Sequence, residues 1–395
     1  MKLIHTSDWH LGQLLHGQSR ELEHARFLSW LLATLCTREV DVLLVTGDIF
    51  DSANPPSSAQ RQYYQFLASA RAAAPRLQIV VIAGNHDSGA RLDAPLELLH
   101  ALDVHVVGAL RGTDASAIAL KNSKRETAAW LVAVPFLRPS DFPIATGSSV
   151  AGTAALYAER IDFARALCTA DQALLACGHC YMVGGMLSSL SERDIQRGHQ
   201  DALPVDIFPT DLAYVALGHL HRAQAIGGRE AVRYSGSPLP LSMIERDYVH
   251  QVLLVEFAGR NVRSIESIVV PRARDIILLP ATHAPLEQVL SALKALPRTA
   301  TSDLKPLLEV RVQLDSPQVR LRAQLLEALG DAWAELVNIS VRYPERTELE
   351  PSPARLPTEL SPLELFDLAY RARFNDPAPL ELRALFSDAL QAATP

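Results

Sequence analysis

Five short apolar runs, spread over the first 221 residues, each end in a glycine or a polar turn followed at once by an Asp, Asn or His. They read "KLIHTSDWH" (Asp8, His10), "VDVLLVTGD" (Asp48), "QIVVIAGNHD" (Asn85, His86, Asp87), "ALLACGH" (His179) and "YVALGHLH" (His219, His221). Runs of this length, rich in Val, Ile and Leu, suit strands buried on both faces. Between them lie stretches of helical periodicity, such as 22–36 and 59–72. Strand–helix alternation of this kind predicts an α/β fold built on a mostly parallel sheet. In such sheets ligand sites lie beyond the carboxyl ends of the strands, where these side chains stand. Residues two apart in an extended chain face the same way, so Asp8 with His10, and His219 with His221, form two pairs aimed at one place.

A lone histidine or aspartate at a strand end is usually structural. The set is different, because Asp, Asn and His share little except coordination chemistry. Counting ligands gives two metal ions. Asp48, central in the order, can bridge both; Asp8, His10 and one of His219/His221 fill one site, and Asn85, His179 and the other fill the second. Mixed oxygen and imidazole ligation without thiolate suits manganese, iron(II) or zinc, and the oxygens favour manganese. Two ions ~3.5–4 Å apart are standard apparatus for phosphoryl chemistry. His86 follows a residue already aimed at the metals, so it is expected to touch the phosphate or protonate the leaving oxygen, with Asp87 orienting it.

Outside this block, residues 276–343 repeat a β-α-β-α-β pattern with no evident chemistry, and 344–360 is proline-rich and reads as a linker. Ser361, Pro362 and Glu364 form a helix start, and two helices follow, bearing Leu363, Phe366, Tyr370, Phe374 and then Leu382, Leu385, Phe386. A tethered helical hairpin with such a stripe suits a partner's apolar groove. The net charge of −7 (37 basic, 44 acidic residues) disfavours a stand-alone charge-driven nucleic-acid binder. No apolar run reaches the ~20 residues of a membrane span and no leader is evident, so a soluble cytoplasmic protein is expected. Cys177 and Cys180 form a lone C-x-x-C, expected to be incidental.

The series "D-x-H", "GD", "GNHD", "GH", "GH-x-H" resembles that of calcineurin-like metallophosphoesterases. Narrower wording ("HTSDWHLGQ", "GDIFD", "NPPSSA", "PFLRPSD", "ALGHLHRAQ", "VRYSGSPLPLS") is similar to the nuclease subunits of bacterial SbcCD complexes. The resemblance implies a four-layer α/β/β/α core over 1–272, a small α+β capping domain over 273–344 that contacts DNA, a linker over 345–360 and a hairpin over 361–395. It implies metal ligation by Asp8, His10, Asp48, Asn85, His179, His219 and His221, with His86 facing the phosphate. The hairpin would dock on a coiled-coil ATPase that binds the ATP, in a heterotetramer containing a self-dimer of this chain. The implied activity is manganese-dependent 3′–5′ exonuclease action on duplex ends and endonuclease action on single strands or hairpins, serving repair, recombination and replication at the nucleoid. Arg20, Arg91, Arg222 and Arg233 are candidate DNA contacts. A small-molecule phosphomonoesterase or cyclic-nucleotide phosphodiesterase would use the same metals but needs neither cap nor hairpin.

Overall fold

The computed structural model describes residues 1–138, 141, 148–186, 202–300, 302–343, 361–374 and 376–393. The proline-rich linker and residues 187–201 lie outside them. The chain divides into two compact units, Met1–Ala273 and Arg274–Pro395.

The first unit runs β1 (Lys2–Thr6), α1 (Glu21–Thr37), β2 (Val42–Thr46), α2 (Ser57–Ala73), β3 (Gln78–Ile82), β4 (Val104–Val107), β5 (Ala117–Lys121), β6 (Thr127–Ala133), α3 (Ser149–Leu167), β7 (Ala173–His179), β8 (Tyr214–Gly218), β9 (Gln224–Ile226), β10 (Arg229–Tyr234), β11 (Gln251–Ala258) and β12 (Asn261–Val269). These strands make two six-stranded sheets, ordered β12-β11-β1-β2-β3-β4 and β9-β10-β8-β7-β6-β5. The expected parallel sheet is therefore two mixed sheets. Strands β1–β4 are mutually parallel, as are β6, β7, β8 and β10, while β11 and β12 add antiparallel pairs.

Alternation along each strand explains why the runs read as uninterrupted apolar sequence. In the first sheet Ile4, Leu43, Val45, Ile79 and Val81 face helices α1 and α2, where they pack with Trp9, Phe27, Leu31 and Phe66. Their neighbours Leu3, Val42, Leu44, Val80 and Ile82 face the second sheet and meet Leu131, Leu175, Tyr214 and Val255. On its other face the second sheet packs Ala176, Val215 and Leu217 against Tyr157 and Ile161 of α3. This is the four-layer α/β/β/α arrangement. Both sheets have every residue of their central strands buried, so each presents apolar side chains on two faces.

The second unit is a three-stranded sheet of β13 (Ile276–Pro285), β14 (Leu307–Gln313) and β15 (Glu335–Arg342), parallel throughout. Helices α4 (Leu286–Lys294) and α5 (Leu321–Leu329) cover it through Val289, Leu293, Leu325 and Leu329. Helices α6 (Pro362–Phe374) and α7 (Leu380–Ala393) follow. The capping box is present: Glu364 Oε2 accepts the Ser361 N–H at 2.8 Å, and Ser361 Oγ accepts the Glu364 N–H at 3.3 Å. No helix among the described residues is long and apolar enough to cross a membrane.

Candidate metal centre

Strands β1, β2 and β3 of one sheet, and β7 and β8 of the other, deliver the polar side chains to one place. The chain turns sharply there, and the residues that turn are the functional ones. Asp8 (φ 54°), His10 (46°), Asp48 (50°) and His219 (108°) all lie in the left-handed region. Non-glycine residues avoid that region, which costs roughly 1–2 kcal/mol each. Glycine has a related part: Gly47 also has positive φ, and a Cβ on it would fall onto the His179 ring. At Gly218 φ is ordinary, and the need is space, since a Cβ would meet the Thr46 carbonyl oxygen of the facing sheet.

Asp48 is the centre of the arrangement and is 2% exposed. Its Oδ1 accepts the His86 backbone N–H at 2.9 Å. Its Oδ2 lies 3.5 Å from His10 Nε2 and 3.4 Å from His179 Nε2, between two histidines from different sheets. Asp8, His10 and His221 bring ligand atoms within 4.8 Å of one another, as do Asp8, Asp48 and His179. Asn85 Oδ1 faces both His179 Nε2 (2.9 Å) and His219 Nδ1 (3.0 Å). Asp8 accepts the His219 backbone N–H and the Ser7 hydroxyl. All seven expected ligands thus meet in one site.

The charges are strongly coupled. Burial alone would raise the Asp48 carboxyl, but the His179, His10 and His86 rings hold it well below the usual carboxylate range. Burial alone would lower His179; the Asp48 charge and hydrogen bond, with Asp8 and the Thr46 carbonyl, raise it instead. His219, buried beside His179, is pushed down to about 3.

Two nitrogens test whether a metal fits. His10 Nε2 and His219 Nε2 are buried without a hydrogen-bond partner. The 3.5 Å from His10 Nε2 to Asp48 is beyond good hydrogen-bond length. A buried polar atom left bare costs about 1–3 kcal/mol, and two in one buried site that also holds Asp8 and Asp48 fit a divalent cation as the missing partner. The donor set of carboxylate, amide and imidazole suits a divalent metal.

Other expectations meet different surroundings. Asp87 does not reach the His86 ring; its carboxylate accepts the backbone N–H groups of Gly84, Ile49 and Phe50, tying two strand-exit loops together. Burial and the Asp48 charge push Asp87 up to about 6, against the pull of those three N–H groups. The His86 ring is held by Asp51, whose carbonyl oxygen accepts from Nδ1 at 2.8 Å. Asp51 also sets its carboxylate 3.2 Å from His10 Nδ1. The sequence offered a weak signal for it, as a second acid in "GDIFD".

Among the arginines, Arg20 is a correction: it is 1% exposed, and its guanidinium donates to Glu23, Gln13 and the Pro240 carbonyl. It is a structural clamp, committed within the fold and out of reach of a DNA backbone. Arg233 lies on β10, paired with Glu230, and its charge bears on the buried His5 and Tyr214. Arg91 and Arg222 are exposed, the first donating to Asn54 Oδ1 and the second lying over the Tyr248 ring. Burial pushes the Cys177 and Cys180 thiols up to about 12, so neither is a thiolate at neutral pH.

Fold and site define a class. The family model described as calcineurin-like phosphoesterase matches residues 1–223, more than half of the chain, and makes this chain a metal-dependent phosphoesterase. The chain is 40% identical over 388 residues to the D subunit of nuclease SbcCD from Rhodobacter capsulatus, covering 94% of each. It is 39% identical over 297 residues to the Escherichia coli K12 counterpart, 72% of each, and 35% identical over 261 residues to the Bacillus subtilis one, 65% of this chain and 66% of that one. A second model, described as the Type 5 capsule protein repressor C-terminal domain, matches residues 272–374. The chain belongs to the family of SbcCD nuclease D subunits.

Proposed function

We propose that this chain is the nuclease subunit of an ATP-dependent complex and cuts phosphodiester bonds at DNA ends with two divalent ions, manganese above others. One oxygen supports this most: Asp48 Oδ2, between His10 and His179, can serve two ions at once. Asp8, His10 and His221 would complete one ion's shell, and Asn85, His179 and His219 the other's. Bound ions of this kind supply a nucleophilic water at neutral pH and offset charge on the phosphate oxygens. His86 is the proton donor to the departing oxygen. Its Nδ1 is taken by Asp51 O and its backbone by Asp48, which fixes the ring with Nε2 for the substrate. Asp87 acts through the backbone, keeping the Asp48 and Asn85 loops in register.

The relatives' names imply a companion subunit. In this reading the companion is the coiled-coil ATPase that binds ATP, and the hairpin of residues 361–395 docks on it. Residues 273–344 form the cap that contacts DNA, and 345–360 tether the hairpin. Two copies of this chain and two of the partner make the heterotetramer, acting in the cytoplasm at the nucleoid. The acidic net charge supports a partner that carries much of the DNA-binding surface. Arg91 and Arg222 remain as DNA contacts from this chain.

The test is manganese-dependent cleavage of linear duplex DNA by the full chain, with and without the ATPase and ATP, beside His86→Ala. Cleavage that needs manganese, rises with the partner and disappears in the variant is expected. Hydrolysis confined to small phosphate esters under every condition would overturn the DNA assignment and leave the phosphoesterase class intact.

A further inference from the structure

The histidines of the site are braced from behind in different ways. His179 gives its Nδ1 to the Thr46 carbonyl at 2.9 Å, and His10 faces the Asp51 carboxylate, whose side chain is 39% exposed. His221 stands apart: its Nδ1 lies 3.1 Å from Oε1 of Glu245, a carboxylate with no solvent exposure. A carboxylate taken wholly out of water is strongly disfavoured unless paired and hydrogen-bonded, so a polar residue here calls for a reason.

Glu245 belongs to a strap, residues 235–250, that arches from β10 back to β11. Its second oxygen, Oε2, accepts the Leu241 N–H at 2.8 Å. The Leu241 carbonyl in turn accepts from Gln13 Nε2 at 2.9 Å, and the neighbouring Pro240 carbonyl accepts from Arg20 at 2.7 Å. Gln13 closes the turn after His10, its N–H donating to the His10 carbonyl. One carboxylate therefore connects His221 to the loop carrying His10, which shares its ligand group.

We infer that Glu245 is a positioning residue for the Asp8–His10–His221 side of the site. A carboxylate at Nδ1 fixes His221 as the Nδ1–H tautomer, which puts the lone pair on Nε2 and makes that nitrogen more basic. Through Leu241 the same residue sets where the strap, and with it Gln13, comes to rest. Both of these bonds lead to the His221 and His10 side, so the influence of Glu245 falls on that ion's shell. The inference rests on the two-ion reading of the site.

The experiment is a manganese titration of the full chain, following each of the two ions by calorimetry and by the electron paramagnetic resonance of bound Mn2+. Thermal unfolding is recorded in chelator alongside. Wild type is expected to take two ions. Glu245→Ala should weaken one of them roughly 10–100-fold and leave the other unchanged, the range for lost outer-shell partners. Glu245→Gln should fall between, because its single amide oxygen can serve His221 or Leu241 but not both. It also decides the matter if the alanine variant does not fold. Unchanged binding of both ions in the glutamine variant, even with a lower melting temperature, would make Glu245 purely structural and overturn the inference. Failure of wild type to bind a pair of ions would instead remove the two-ion reading beneath it.

Discussion

Asp48 and Phe386 are both side chains that a sequence pattern marks for function, and the molecule treats them in opposite ways. Asp48 is buried, in left-handed backbone, and held by groups 38 to 131 residues away in sequence. Phe386 is half-buried and stacks on Phe366 of the facing helix at a centroid distance of 4.4 Å, a local contact within the hairpin. The aromatic stripe expected to meet a partner is largely the hairpin's own core. Tyr370 is buried, Phe374 packs on Tyr343, and Leu363 and Leu382 are half-buried. Leu385 is exposed as expected, and among the described residues of the hairpin Leu365, Leu368, Leu380 and Leu390 also face outward. A catalytic site must be over-determined from many directions, whereas a docking element needs only enough internal packing to present a face.

The largest effect should come from Asp48→Ala. If the carboxylate between His10 and His179 serves both ions, its loss is expected to abolish loading of both and nuclease activity together, beyond the roughly 100-fold typical of an outer-shell loss. Metal titration and duplex cleavage check it. If one ion still binds with native affinity, the shared role is wrong. His86→Ala should lower the cleavage rate about 10²–10⁴-fold with both ions still bound, which separates proton transfer from metal holding.

The buried core gives a pH prediction that the hairpin does not. His5 lies between the sheets, its ring nitrogens at Tyr214 Oη, Thr46 Oγ1 and the Leu217 carbonyl. Burial pushes its pKa down to about 3; the Leu217 bond opposes this and the Arg233 charge assists it. The unfolded chain takes up a proton on His5 below pH 6.5, and the folded chain does not until about 3. Stability from this group is therefore full above 6.5 and falls as the pH drops. By about pH 5 the loss is about 2 kcal/mol. Denaturant unfolding of wild type and His5→Gln at about pH 7 and about pH 5 should show a shallower acid loss in the variant.

At the hairpin the effects shrink. Phe386→Ala should cost about 2 kcal/mol of hairpin stability, seen as faster amide exchange in residues 362–393, with cleavage of short oligonucleotides unchanged. Smallest of all on stability is the pair Leu365→Glu and Leu368→Glu, expected within about 0.5 kcal/mol of wild type. Their effect should appear only as binding to the ATPase partner weakened by about tenfold or more. If Phe386→Ala weakens partner binding while both glutamate variants bind normally, the docking face has been drawn on the wrong side.

How far the chain could be read follows the same division. The seven expected ligand residues are legible because each stands at the end of an apolar run, and a strand of defined length fixes where its last side chain stands. Runs apolar at every position need cover on both faces, which makes an α/β sheet legible; that there are two stacked sheets comes only from the family resemblance. The groups that brace the ligands were not visible. Arg20 reads as a free cation in sequence although Glu23 and Gln13 stand close by, because nothing local shows the third partner, the Pro240 carbonyl 220 residues away, or the burial that goes with it. Glu245 sits in "SMIERD", where charge outnumbers pattern and nothing marks it as buried. Adjacency alone suggests that Asp87 orients the His86 ring, although a carboxylate next in sequence is poorly placed to turn back on its neighbour. In the hairpin, helical spacing identifies a stripe but not which of two partners, self or other, the stripe meets.

The division of the site between two stacked sheets has a consequence in time. Strand β1, which leads into Asp8 and His10, is flanked on one side by β2 and on the other by β11, ending at Ala258. His219 and His221 follow β8, and in the two-ion reading neither ion's proposed ligand set is complete before them. A chain emerging from the ribosome therefore passes most of its first unit's synthesis with catalytic residues present but unassembled. On this reading the nascent chain is inert until His219 and His221 have been made, and β11, the neighbour of β1, comes later still.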